Sequence, residues 1–82
     1  MDDPEILALL PAVDEQLASP ETPFVETAYQ SLLEEDDIEE EEAKYMIAFC
    51  LADEIEKMNK EERPFDSNRY QMLLTLLPAL PE

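Results

Sequence analysis

The sequence predicts an all-α fold, a compact four-helix domain with a long central third helix, and three observations carry that expectation. The chain has no glycine and seven prolines, so the Asn-Gly and Asp-Gly turns of tight hairpins are missing and proline supplies the punctuation. Apolar residues recur at helical spacing through four separate stretches. The longest, DIEEEEAKYMIAFCLADEIEKMNK from Asp37 to Lys60, is apolar on two sides. At about 100° per residue, Ala43, Ile47, Cys50, Leu51, Ile55 and Met58 gather on one face, and Tyr45, Phe49 and Ala52 on the opposite one. A helix apolar on two sides is covered on two sides, which puts it at the centre.

The four helices are expected at about residues 4–18, 23–34, 38–60 and 67–77. In the first, Asp3 is the N-cap, Pro4 fits the first turn and Glu5 suits the positive end of the helix dipole. Its stripe is Ile6, Leu10, Val13 and Leu17. Pro11 conflicts with it, so either the helix kinks there or Met1 to Leu10 is a lead-in to a helix that begins at Pro11. The second helix opens with Thr22 as N-cap and Pro23 in first position, and carries Val25, Ala28, Tyr29 and Leu32 on one side.

Asp37 and Glu40 have the spacing of a capping box for the third helix. Its carboxylates at the start, with Lys57 and Lys60 at the end, suit the dipole at both termini. Asn59 is placed to take the left-handed position that glycine usually fills at a helix end. Asp66 caps the fourth helix, Phe65 and Tyr70 form a hydrophobic staple, and Tyr70, Leu73, Leu74 and Leu77 continue inward until Pro78. The nine residues LALLPAVDE from Leu7 echo LTLLPALPE from Leu74, too short a repeat to signal a solenoid.

Residues 1–82 read as a single acidic helical domain. A chain this short buries roughly 60 to 65% of its unfolded surface, so its stability is modest. The net charge is −17, yet 45% of residues are hydrophobic, which is too apolar for a disordered acidic tail. The charge is also lopsided. Residues 1–42 hold 15 acids and no Lys or Arg, and residues 43–82 hold seven acids against five bases. Such a surface repels nucleic acid and anionic membrane and attracts basic protein surfaces. Direct nucleic-acid binding is therefore excluded. No apolar run spans a bilayer and no secretory leader is legible, and the lone Cys50 sits on an apolar face, so the expected location is cytoplasmic.

Histidine is absent, which removes the commonest general base and the commonest transition-metal ligand. Without glycine there is no phosphate-cradling loop. No catalytic residue, cofactor or metal site is expected, and the chain reads as a non-enzyme. Glu54 stands out because it falls within the stripe of Ile47, Leu51 and Met58. As a functional group it is a carboxylate of perturbed, raised pKa; as a structural one it is satisfied by Arg63, Arg69 or a tyrosine hydroxyl, and the structural reading is preferred. Leu73 to Leu77, LLTLL, has the form of a groove-docking helix, but leucines at this spacing also occur in any core helix.

Three phrases carry a resemblance: DEQLA at Asp14 to Ala18, EEAKYMIAFCLADEI at Glu41 to Ile55, and RPFDSNRY at Arg63 to Tyr70. In order and spacing the chain resembles a bacterial family of small all-helical domains of unknown function. The resemblance implies the helical fold and no activity. Members of that family often carry histidines around the first helix and the start of the long one, where residues such as Glu42 and Tyr45 stand here; a metal site built on those histidines would be missing.

The function expected is protein–protein interaction, with an acidic face made by Glu34, Glu35, Asp36, Asp37, Glu39, Glu40, Glu41 and Glu42 meeting a basic protein surface. Tyr45, Phe49 and Ala52 are the candidate apolar partner surface, although burial under the first or fourth helix is the preferred reading of them, and a second copy of the chain, giving a homodimer, is a further expected partner. Two alternatives stand beside this reading. One is a DNA mimic that occupies a nucleic-acid-binding protein. The other is a divalent-cation or small-ligand binding protein that uses the acidic run and Glu54.

Overall fold

In the computed structural model, which describes residues 3–81, five helices follow one another: α1 (Pro4–Leu7), α2 (Leu10–Ala18), α3 (Pro23–Leu33), α4 (Glu40–Lys60) and α5 (Ser67–Leu76). Met1, Asp2 and Glu82, and with them the start of the expected lead-in and the last residue of the nine-residue echo, lie outside the described residues. No strand occurs among the described residues. The expected helix over 4–18 is two helices, so the long helix is fourth in order and not third. Pro11 is the cause. It has no N–H to offer the Leu7 carbonyl, and its ring would crowd that carbonyl in a continuous helix. The chain instead closes α1 with the Leu9 N–H donating to the Ile6 carbonyl at 3.0 Å. It restarts at Leu10, with Pro11 in the first turn, where a missing donor has no partner to lose.

Local chemistry sets most of the other boundaries. The Asp3 carboxylate accepts from the Glu5 N–H at 3.0 Å and caps α1. Thr22 holds the N-cap position of α3, but its side chain makes no capping bond. Its hydroxyl donates to the Gln16 carbonyl at 2.8 Å and ties the start of α3 to the end of α2. The expected capping box at Asp37 is not formed. Asp37 lies in the turn, and Glu39 is the N-cap, with an extended backbone and no side-chain capping bond. Three carboxylates in the first turn of α4 still complement its dipole.

The core is built around α4, which packs against each of the other four helices. Ala43, Ile47, Cys50, Leu51 and Glu54 are buried along one stripe, and Tyr45 and Ala48 are buried beside it. Val13 of α2, Val25 and Leu32 of α3, and Tyr70, Leu73 and Leu74 of α5 fill the spaces around that helix. Tyr70 joins three elements. Its ring meets Phe24 and Phe65 edge-on, with centroids 6.0 and 5.7 Å away, and its hydroxyl donates to Gln16 Oε1 at 2.7 Å. The radius of gyration, 12.0 Å, is what a compact chain of this length has, about 12 Å.

The end of α4 differs from expectation. Asn59 stays helical, and the left-handed residue is Glu62, with φ 50°. The Arg63 N–H returns to the Met58 carbonyl at 3.1 Å, the six-to-one bond of a Schellman stop. A chain without glycine must put a residue with a Cβ in this position, at some steric cost. Replacing Glu62 with glycine is accordingly expected to raise the unfolding free energy by about 0.5 to 1 kcal/mol in urea titrations.

Candidate functional site

Two regions hold the residues that the sequence singles out, one at each end of α4. At the C-terminal end, Glu54 has no exposed surface. A buried carboxylate must have its lone pairs filled, and here four donors fill them. Arg63 donates through Nη1 to Oε2 at 2.7 Å and through Nη2 to Oε1 at 3.1 Å, a two-pronged grip that matches guanidinium to carboxylate. The Asp66 N–H donates to Oε2 at 2.7 Å, and Arg69 Nη1 donates to Oε1 at 3.0 Å.

The donors are held in turn. Arg63 Nε donates to Glu61 at 2.8 Å, the other guanidinium nitrogen of Arg69 meets Asp53, and the Asp66 carboxylate accepts from the Arg69 N–H at 3.0 Å as the N-cap of α5. The left-handed turn at Glu62 is what swings Arg63 back over the last turns of α4 to reach Glu54.

These contacts decide between the two readings of Glu54. Hydrogen bonds from Arg63 lower its pKa, burial opposes them, and the Asp66 N–H and Arg69 add to the lowering, for a result of about 2 against an ordinary 4.5. The raised pKa of the functional reading is therefore reversed, and the preferred structural reading holds with Arg63 and Arg69 as the partners, because the carboxylate is buried together with its cations. A group so consumed has no free lone pair for a substrate proton. Cys50 behaves in the opposite way: it is fully buried, and burial with the nearby Asp53 charge pushes its thiol up to about 12.

At the N-terminal end, Glu34, Glu35, Asp36, Asp37, Glu39, Glu40 and Glu41 are exposed and Glu42 is half-buried. They occupy the α3–α4 turn and the first turn of α4, so the structure does gather them at one end of the molecule. No ion pair among the described residues involves any of them. The described ion pairs use Lys44, held to Asp14 at 2.9 Å, and Arg63 and Arg69 at the far end. Among the described residues, no three Asp, Glu or Cys side chains come together so as to hold a metal ion.

The candidate apolar surface of Tyr45, Phe49 and Ala52 is largely covered, as the burial reading of it has it. Tyr45 is buried, and Phe49 and Ala52 are half-buried, because α1 lies across that side of α4. Leu7 and Leu10 flank Tyr45, and Ile6 with Asp3 and Glu5 flanks Phe49 and Ala52. The second apolar face of α4 is therefore a packing face for α1. Apolar surface appears instead on and around α5, where Phe65, Met72, Leu76 and Leu80 are 40 to 57% exposed. The sequence carried a signal for this: α5 is apolar over more of its circumference than one core stripe needs, and no acid occurs between Asp66 and Glu82. Leu73 and Leu74 are buried, so the LLTLL stretch does not present its leucines as one docking face.

No helix among the described residues is long and apolar enough to cross a membrane. Compared with protein families, with curated proteins and with solved structures, the chain matches none.

Glu54→Gln is expected to destabilise the fold by about 3 kcal/mol at neutral pH, since it leaves two arginines against a neutral amide. The pH dependence has a definite sign. The folded carboxyl titrates near 2 and the unfolded one near 4.5, so its contribution is complete above pH 4.5 and is lost as pH falls through 2. The stability difference between wild type and Glu54→Gln in denaturant titrations should thus shrink steadily over that window. A difference that stayed constant would contradict the assignment.

Proposed function

We propose that the protein is a non-enzymatic interaction domain whose acidic end, Glu34 to Glu42, docks on a basic surface of a protein partner. One observation carries the reading: these carboxylates are gathered at one end of α4 and enter no described ion pair, while the bases that do pair are held to carboxylates elsewhere. The length of α4, 21 residues or about 30 Å, separates that end from the Arg63 and Arg69 clamp. At physiological ionic strength the Debye length is about 8 Å, so the distant arginines do not neutralise the acidic end.

The helix dipole of α4 suits the same arrangement, with its positive end among the carboxylates and Lys57 and Lys60 in the last turn. A partner presenting lysines and arginines would gain mainly in the rate of encounter and in selectivity. Catalysis has no support in Glu54, the one buried carboxylate among the described residues, because it is fully paired. The narrower reading as a DNA mimic is a statement about which partner is met, and the identity of that partner decides it.

The test is a pull-down from the native cell lysate with wild-type protein and with Glu34→Gln, Glu35→Gln, Asp36→Asn and Asp37→Asn combined. These four lie in the exposed turn before α4, so the variant keeps the core intact. Basic proteins that are captured at low salt, released at high salt and lost with the variant are the expected result. Capture indifferent to salt and to the four substitutions would contradict the reading.

A further inference from the structure

The outer face of α5 is unlike the rest of the surface. Asn68, Met72, Thr75 and Leu76 are exposed and fall together on the helix side opposite the buried Tyr70, Leu73 and Leu74. None is charged, in a chain of which 33% of residues are charged. Beside this ridge runs a groove of about 250 Å³ between α3 and α5, lined by Thr27, Ala28, Ser31, Leu32, Thr75 and Leu77, again without a charge. Phe65 leads into the helix and Leu80 follows it, and both are exposed.

We propose that this uncharged face of α5, centred on Met72 and Leu76 with the groove toward α3, binds a second copy of the chain. Charge selects that occupant. Two chains of net charge −17 repel each other through most approaches, and the α5 side, acid-free from Ser67 to Pro81, is where they can meet with the fewest opposing carboxylates. Shape supports it as well. A ridge next to a groove is self-complementary about a two-fold axis, so that Leu76 of each copy enters the groove of the other.

The exposed apolar side chains offer on the order of 400 Å² per copy. With the neighbouring polar residues they approach about 600 Å², the lower end of a specific interface. The dimer is thus a weak one that forms with rising concentration. It is independent of the acidic end, and salt separates the two contacts: salt weakens binding of a basic partner and strengthens pairing of two like-charged copies.

Sedimentation equilibrium on the purified chain over a range of concentrations, at low and high sodium chloride, tests the pairing. The expected result is a monomer–dimer equilibrium that shifts toward dimer with salt. Met72→Glu and Leu76→Glu, both at exposed positions, should abolish the dimer while leaving the helical circular dichroism spectrum unchanged. Leu76→Met should keep it. A chain that is monomeric at every concentration in both salts would overturn the proposal, as would a dimer that survives both glutamate substitutions. Monomeric protein that binds phosphatidylcholine vesicles through Met72 and Leu76 would also overturn it, assigning the face to a lipid surface.

Discussion

Burying the Glu54 carboxylate imposes the constraint on which the C-terminal half of the structure depends. An ionised carboxylate cannot be left in the core without partners. Supplying those partners fixes where α4 stops, which way the chain reverses and where α5 begins. Arg63 reaches back because Glu62 takes a left-handed turn, and the Asp66 N–H arrives because the connection is short. Arg69 arrives because α5 starts immediately after Asp66. With α5 so placed, Tyr70 faces inward, meets Phe24 and Phe65, and bonds to Gln16 across 54 residues of sequence. The clamp and the tyrosine together lock α5 against α2, α3 and α4.

The same constraint shapes the charge distribution. The chain has only five bases, and two of them are drawn to Glu54 while Lys44 pairs with Asp14. The molecule therefore carries three kinds of surface. One end of α4 is dense in carboxylates that enter no ion pair among the described residues, the other is an ion-paired clamp, and the outer side of α5 is uncharged. Partners of opposite character suit the first and the last, and ionic strength acts on them with opposite sign.

Much of the architecture was legible because its signals are local. Asp66 as N-cap, Phe65 against Tyr70, and Pro4 and Pro23 at helix starts are short-range rules that the structure follows. Glu54 was legible as the odd carboxylate in an apolar stripe, with Arg63 and Arg69 among the partners expected for it. The features that escaped the sequence depend on context. Leu-Leu-Pro-Ala opens a helix at Leu10, behind Leu9 as N-cap, and follows the end of one at Leu76; Pro11 was legible as a kink or a fresh start, but no local rule chose between those outcomes. Asp37 and Glu40 have the spacing of a capping box, yet the turn places Glu39 at the cap. The second apolar face of α4 was legible as a face to be covered, but not which element covers it, since nothing in the sequence says that α1, a single turn of four residues, folds over it. The exposed face of α5 carried only a partial signal, its extra apolar circumference, since leucine and methionine at helical spacing look alike whether covered or bare.

Everything at the C-terminal end of α4 requires Glu54 to be ionised, buried and fully paired. The most direct measurement is a carbon-13 NMR titration of its side-chain carboxyl in the folded protein, assigned by comparison with Glu54→Gln. The clamp predicts a midpoint near 2, well below the ordinary 4.5 for a glutamate. A midpoint at or above the ordinary value would contradict it, and would mean that the carboxylate lies free of Arg63, Arg69 and the Asp66 N–H and is open to bind something else.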